Sequence, residues 1–262
     1  MTSERSDVDD ARVREPERET DFGFERVPWS EKAARVRGVF DSVAGRYDLM
    51  NDAMSLGLHR LWKRFTLAKA WLREGQRALD VAAGSGDLSL GLAQKVGPPG
   101  RVCVSDINAS MLELGRSRLI DQGYVGNIDY VLADAARLPF ADRSFHCVTI
   151  GFGLRNVTDK AAALASMFRV LKHGGQLLVL EFSTPHLGLL NRVYDAYSFG
   201  VLPRLGAFLA NDAASYRYLA ESIRRHPDQT TLLAMLRAAG FERCACFNLS
   251  GGIVAVHEGF RL

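Results

Sequence analysis

The sequence predicts a doubly wound α/β sheet that closes with an antiparallel C-terminal hairpin. Three observations carry that expectation. A short apolar run, Arg77 to Val81, feeds a small-residue turn and then a helical stripe at Leu88, Leu92, Ala93 and Val96. Strand-like and helix-like runs keep alternating from there to Phe182. Near the end, two strand-like runs are separated only by Ser250-Gly251-Gly252, a connection that allows nothing but an antiparallel return.

Taken in order, Arg77 to Val81 reads as the first strand and Leu88 to Val96 as its helix, with Gly84-Ser85-Gly86 between them. Val102 to Val104 is the second strand and ends in Ser105-Asp106. Asn108 opens a helix to about Asp121, Ile128 to Leu132 is the third strand, and Phe145 to Ile150 the fourth. Lys160 to Val170 reads as a helix and Gln176 to Phe182 as the fifth strand, with Gly174-Gly175 expected as a C-terminal glycine cap and tight return. Asp228 to Ala239 is a helix stopped by Gly240, and Glu242 to Leu249 and Ile253 to Gly259 form the closing hairpin. Two segments lie outside this plan, 30–72 and 185–226. Ligands of open α/β sheets sit at the carboxyl ends of the strands, so both segments are expected to fold over that edge as an acceptor lid. Leu187 to Leu209 is apolar but interrupted by Arg192, Asp195 and Arg204, which predicts amphipathic helices whose apolar face lines core or pocket, with a membrane surface as the second reading.

The chain has 262 residues, 47% hydrophobic and 24% charged, enough for one large domain over 22–262. Its 33 basic and 30 acidic residues are interspersed, and a net charge of +3 calls for no polyanion, so nucleic acid is not an expected partner. Cys103, Cys147, Cys244 and Cys246 have neither disulfide nor zinc spacing, which predicts a cytoplasmic protein without structural metal. Residues 1–21 are rich in Glu, Asp and Arg and poor in large apolar side chains, and are expected to be a disordered head. They lack both the apolar core of a signal peptide and the acid-poor composition of a transit peptide, and the chain contains no run long enough to span a bilayer.

The turn after the first strand indicates the cofactor. Glycines there allow positive φ and remove side-chain bulk, so a ligand can lie against the backbone of Gly84, Ser85 and Gly86. Asp106, twenty residues beyond Gly86 at the end of the second strand, is placed to accept hydrogen bonds from both hydroxyls of a ribose. A dinucleotide fingerprint needs a third glycine, but this chain has Ser89 there, and Asp87 opens the helix where a pyrophosphate would lie. With Asp80 as a third carboxylate, the turn suits a cationic cofactor without phosphate, S-adenosylmethionine, over a nicotinamide dinucleotide. Asp134-Ala135, after the third strand, is positioned for the adenine, with helix capping as the alternative. Gly151, after the fourth strand, can lie close to the cofactor. The loop Gly151 to Asn156 does not carry the motif of Asn or Asp, two prolines and an aromatic that enzymes methylating nucleobase amines place there.

Arg155 follows in the same loop. An arginine facing the acceptor can stabilise a developing phenolate, and a surface ion pair is the alternative. Tyr47, Asp48, Asn51, Asp52 and His59 form a dense polar group that can serve the acceptor, carry acid-base chemistry or cap helices; with His59 as its sole imidazole, metal is not expected.

The stretch from Tyr47 through Asn51, Asp52 and His59 to Lys63 resembles the ubiquinone/menaquinone biosynthesis C-methyltransferase family. So do Arg169 to Ser183, Phe152 to Asp159 and Asn211 to Leu219, and the likeness runs from Phe22 to the last strand. The resemblance implies a Rossmann-like class I methyltransferase sheet and methyl transfer from S-adenosylmethionine to a ring carbon of a polyprenylated benzoquinol or demethylmenaquinol. It implies cofactor contacts at Ser85, Asp106, Asp134, Ala135 and Gly151. Ser85, Ala83, Asp134, Gly151 and His173 depart from the common pattern, which has threonine, glycine, asparagine, serine and proline there; a glycine at 151 removes one side-chain hydrogen bond. The expected chemistry is displacement at the sulfonium methyl by a quinol carbon, with Arg155 stabilising the phenolate and His59, Tyr47 or water relaying the proton, because a phenol near pKa ~10 needs help to ionise. Which quinone is methylated stays open, as do peripheral contact with the inner face of a membrane, a homo-oligomer and a larger biosynthetic complex. The competing functions are an O-methyltransferase of a soluble aromatic metabolite and a nicotinamide-dependent reductase.

Overall fold

The computed structural model describes residues 18–43, 51–52, 55–185 and 212–262. Seven strands form one sheet: β3 (Arg77–Val81), β4 (Arg101–Asp106), β5 (Ile128–Leu132), β6 (Phe145–Gly151), β7 (Leu171–Phe182), β8 (Glu242–Leu249) and β9 (Val254–Arg261). Their order across the sheet is β5-β4-β3-β6-β7-β9-β8. The strands from β5 to β7 run parallel, and β9 enters antiparallel between β7 and β8, as the short Ser250–Gly252 turn requires. The direction of connection reverses at β3, so β4 and β5 lie on one side and β6 and β7 on the other. The crevice at that switch is where an open sheet binds ligands.

The sheet is buried on both faces, which explains the nearly continuous apolar runs of its central strands. In β3, Ala78 faces one core cluster while Leu79 and Val81 face the other. The helices α3 (Asp87–Val96) and α2 (His59–Lys69) contribute Leu92, Val96 and Trp62 to the first cluster. Further along, α5 (Lys160–Val170) and α7 (Gln229–Ala238) contribute Leu164, Met167, Leu232 and Leu236 to the second. The remaining helices are α1 (Trp29–Val43), α4 (Ala109–Asp121) and α6 (Ala213–Arg225). Side-chain caps start several of them: Asn108, Asp159, Asp212 and Asp228 each accept a backbone N–H two or three residues into the helix.

Two expectations are corrected. The charged head does not extend through residue 21: β1 (Glu19–Phe22) pairs antiparallel with β2 (Glu25–Pro28), Thr20 and Val27 are buried, and Phe22 stacks on Tyr218 with ring centroids 4.2 Å apart. An aromatic partner from α6, distant in sequence, anchors a segment whose composition alone could not repay its ordering. Residues 1–17 of the expected head lie outside the described residues. Secondly, Gly174-Gly175 is not a helix cap. The helix α5 ends at Leu171 in extended conformation, and the glycines fall inside β7, where pairing to β6 jumps from Leu171 to Gln176. Gly174 has φ +76°, and a Cβ at Gly175 would lie 2.7 Å from the Lys172 carbonyl oxygen, so this bulge demands small residues. Leu187 to Leu209 lies outside the described residues, as does most of the expected lid segment 185–226.

Candidate functional site

A cavity opens at the carboxyl ends of β3, β4, β5 and β6, roofed by α1. Its floor is backbone and small side chains: Ala82 and Gly84 after β3, Ala133 and Ala135 after β5, Gly151 and Gly153 after β6. Two non-glycine residues in the wall, Ala82 (φ +50°) and Phe152 (φ +56°), hold left-handed conformations at neighbouring strand ends. Such conformations cost of order 1–3 kcal/mol each and persist where packing over-determines them. At Phe152 the constraint is visible, since its N–H donates to the Leu180 carbonyl at 2.7 Å.

Asp106 organises the turn. Its Oδ2 accepts the Gly84 N–H and its Oδ1 the Asn108 N–H, each at 2.9 Å, and the residue is only 7% exposed. Burial pushes its carboxyl above the usual range, and the bonds from Asn108 and Gly84 offset part of that. Each oxygen keeps a lone pair, and no cation pairs with it among the described residues. A ribose diol supplies hydroxyl donors that the remaining acceptor capacity of such a carboxylate can take, so the site fits an adenosyl group. Gly115 lets α4 approach the same turn: a Cβ there would meet the Gly84 carbonyl oxygen at 2.7 Å. Asn108 caps α4 and donates through Nδ2 to Asp41 Oδ1 at 2.9 Å, tying α1 over the cavity.

The expected cofactor residues divide. Gly84, Asp106, Asp134, Ala135 and Gly151 line the cavity together, whereas Ser85 and Gly86 face a recess on the other side with Asp87 and Arg118. Asp134 does act as a cap, its Oδ1 accepting the Ala136 N–H at 2.9 Å, and it still lines the cavity. The proposed ring of three carboxylates is corrected. Asp80 is 1% exposed and accepts from Ser89 Oγ at 2.6 Å and Thr149 Oγ1 at 2.7 Å, with burial pushing its carboxyl up to about 6. Asp87 is held by Lys63 Nζ at 2.5 Å; burial works to raise its carboxyl, and the lysine charge outweighs this and leaves it low. Asp80 is committed to partners in the core and Asp87 to Lys63; neither lines the cavity, and the carboxylates in its wall are Asp106, Asp134 and Asp159.

Of the expected catalytic residues, Arg155 and His59 are among the described residues. Arg155 is in neither of its expected settings: its side chain is 4% exposed and pairs at 2.8 Å with Glu181, itself 1% exposed. Glu181 also accepts the backbone N–H of Arg155 at 3.2 Å and of Phe182 at 2.9 Å, while Arg155 Nη1 donates to the Phe152 carbonyl. This buried pair braces the cavity-lining turn after β6, whose Asn156 accepts from Tyr218 at 3.1 Å. His59 lies away from the cavity wall on α2, its Nδ1 2.8 Å from Ser55 Oγ; burial, then the charges of Lys63 and Arg60, lower its pKa. Tyr47 lies outside the described residues.

Sequence reasoning expected 30–72 to fold over this edge but named none of the residues of the roof. Trp29, Ala33, Val36, Arg37 and Phe40 of α1 line the cavity, and their spacing of three and four residues was a readable helical face. It also missed Met111 and Ile107 after β4 and Val157 to Asp159 after β6, which present apolar surface and a capping carboxylate where an adenine and its neighbours would lie. Among the described residues no cluster of His, Cys, Asp or Glu has the geometry of a metal site.

The sequence profile of the ubiE/COQ5 methyltransferase family matches residues 29–261. A relative from Legionella pneumophila (strain Lens), named ubiquinone/menaquinone biosynthesis C-methyltransferase UbiE, is 60% identical over 242 residues, 92% of this chain and 97% of its own length. A protein of the same name from Serratia proteamaculans (strain 568) is 58% identical over 247 residues, 94% of this chain and 98% of its own. Among solved structures, a SAM-dependent methyltransferase from Aquifex aeolicus aligns with a TM-score of 0.58 at 16% identity, covering 76% of this chain and 89% of that one. The [4+2]-cyclase SpnF aligns with a TM-score of 0.61 at 19% identity, covering 84% and 76%. At such identities the structures establish the fold, while the sequence relatives establish kinship.

Proposed function

The chain belongs to the ubiE/COQ5 methyltransferase family, and from that premise we propose that it methylates a ring carbon of a polyprenylated benzoquinol, a demethylmenaquinol, or both, using S-adenosylmethionine. The kinship across nearly the whole chain carries this reading, and the Asp106 carboxylate, in the cavity wall with no cationic partner among the described residues, supports its cofactor half. When bound, the cofactor supplies an electrophilic methyl group. Asp106 would hold the ribose hydroxyls, Asp134 and the Ala135 N–H would serve the adenine, and Met111, Ile107 and Val157 would supply apolar wall beside it. Gly84 and Gly151 let the reacting end lie against backbone. The apolar side chains Trp29, Val36 and Phe40 of the α1 roof would replace solvent over the bound cofactor.

The acceptor's phenol must lose a proton before its ring carbon becomes a good nucleophile. Arg155 and Glu181 together position the loop that separates the cofactor cavity from the end of β7. In this reading they act on the acceptor through that loop, rather than through a free guanidinium charge. The test is product analysis. The purified chain, given methyl-labelled S-adenosylmethionine and a short-tailed demethylated quinol, is expected to place the label on a ring carbon. Label on oxygen would move the enzyme to the O-methyltransferase class. Titration with S-adenosylhomocysteine and with NADH separates it from a reductase.

A further inference from the structure

We propose that the outward face of α2, with the turn before it, docks on an anionic lipid bilayer. From Ser55 to Arg73 the sequence carries five Lys or Arg and no Asp or Glu. Leu61, Arg64 and Ala68 follow one another at helical spacing on α2 and are exposed, Leu61 at 58%, and Trp71, just past the helix end, is 70% exposed. Ahead of them Leu56 is 75% exposed with φ +50°, a left-handed leucine on a raised turn, and Leu58 is 38% exposed. Exposed leucines thus share the outward side of α2 with Arg64, the composition of a helix that lies in the headgroup layer, and beyond the helix end Trp71, whose ring packs on Phe260 at 5.1 Å, adds exposed aromatic surface.

The charge on this face is available. Lys63 is engaged by Asp87 and Arg60 by Asp52, but Arg64 and Arg73 make no ion pair among the described residues. A protein surface could cover the leucines equally well; the absence of any acid along nineteen residues favours a partner that is itself uniformly anionic. The helix is also placed for it. Trp62, on its inward side, packs against Phe152 and Phe182 at 6.2 Å and donates to Ser250, so the leucine-bearing end of α2 lies at the carboxyl edge of the sheet. That edge is where the acceptor enters. This rests on the proposed reading that the acceptor carries a polyprenyl tail, which would stay in the bilayer while the ring reaches the site.

The full chain is expected to co-sediment with vesicles containing phosphatidylglycerol, to be released by salt, and to leave pure phosphatidylcholine vesicles unbound. The double change Leu58→Ser, Leu61→Ser and the single change Arg64→Glu should each weaken partitioning by about tenfold. Both variants should bind S-adenosylhomocysteine as the unaltered chain does, which verifies folding, and should methylate a short-tailed quinol in solution at its rate. Transfer to a long-tailed quinol in vesicles should slow in proportion to lost binding. Unchanged partitioning of the variants overturns the proposal. So does sedimentation equilibrium showing that the changes dissolve a dimer, which would make the face a contact between copies. If the unaltered chain methylates no quinol in solution, the functional reading fails while the vesicle measurement still decides the docking face.

Discussion

Replacing Asp106 with Asn tests the cofactor reading where the structure is most explicit. The carboxylate accepts two backbone N–H groups, from Gly84 and Asn108, one on each oxygen at 2.9 Å. An amide in the same place has only one oxygen. Whichever way it turns, its NH2 faces an N–H donor in a site 7% exposed. One buried donor is then left unsatisfied, which costs about 1–3 kcal/mol. The bound ribose loses one acceptor and the charge behind both, a further loss of about 1.5–3 kcal/mol for hydrogen bonds to a charged group. The first cost falls on the free protein as well as the complex, so the effect on binding is the second together with whatever displacement the glycine turn suffers. The dissociation constant for S-adenosylhomocysteine should rise by about ten- to a hundredfold, at about 1.4 kcal/mol per tenfold. Calorimetric titration reads this directly, and circular dichroism verifies that the variant is folded. An affinity within threefold of the unaltered chain would refute the assignment of Asp106 to the ribose.

Gly115→Ala should weaken the same ligand without touching it, because its Cβ would press on the Gly84 carbonyl at 2.7 Å; overpacking of this kind costs about 1–3 kcal/mol, and unfolding and titration should both register it. Arg155→Ala strands Glu181, which is 1% exposed, and should cost about 3–5 kcal/mol in urea unfolding. The double change Arg155→Met, Glu181→Leu should recover most of that stability, and turnover that stays low in the recovered protein would show that the pair serves the reaction as well as the fold. Asp80 sets a pH dependence. Its carboxyl is raised from 3.8 to about 6, so the folded state holds the proton more tightly than the unfolded chain, and this contribution is full at low pH and lost as pH rises through about 6. The loss is about 3 kcal/mol, and Asp80→Asn should remove that part of the slope when unfolding midpoints are compared on either side of pH 6.

Much of the sheet was legible because its signals are local. The Arg77–Val81 strand, the helix ending at Val96, the Ile128–Leu132 strand and the closing hairpin all carry their period and punctuation within a few residues. Misreadings arose where a glycine or a charge had two local meanings. Gly174-Gly175 suits a helix cap as well as a bulge, and the register of β7 against β6 and β9 selected the bulge. Asp80, Asp87 and Asp106 look equivalent around one turn. They differ because Ser89 and Thr149 satisfy the first, and Lys63, from a different helix, neutralises the second.

By itself, the sequence determined a parallel sheet with an antiparallel end, a bare turn after its first strand and a carboxylate at the end of its second. Those features depend on backbone periodicity and on residues that only certain conformations accept. Tertiary structure decided which carboxylates remain open to a ligand, which residues of α1 line the cavity, and that Arg155 is committed to Glu181, 26 residues away. Such assignments depend on burial and on partners brought together by packing, and an ionisable side chain has no fixed role until its neighbours and its solvent are known.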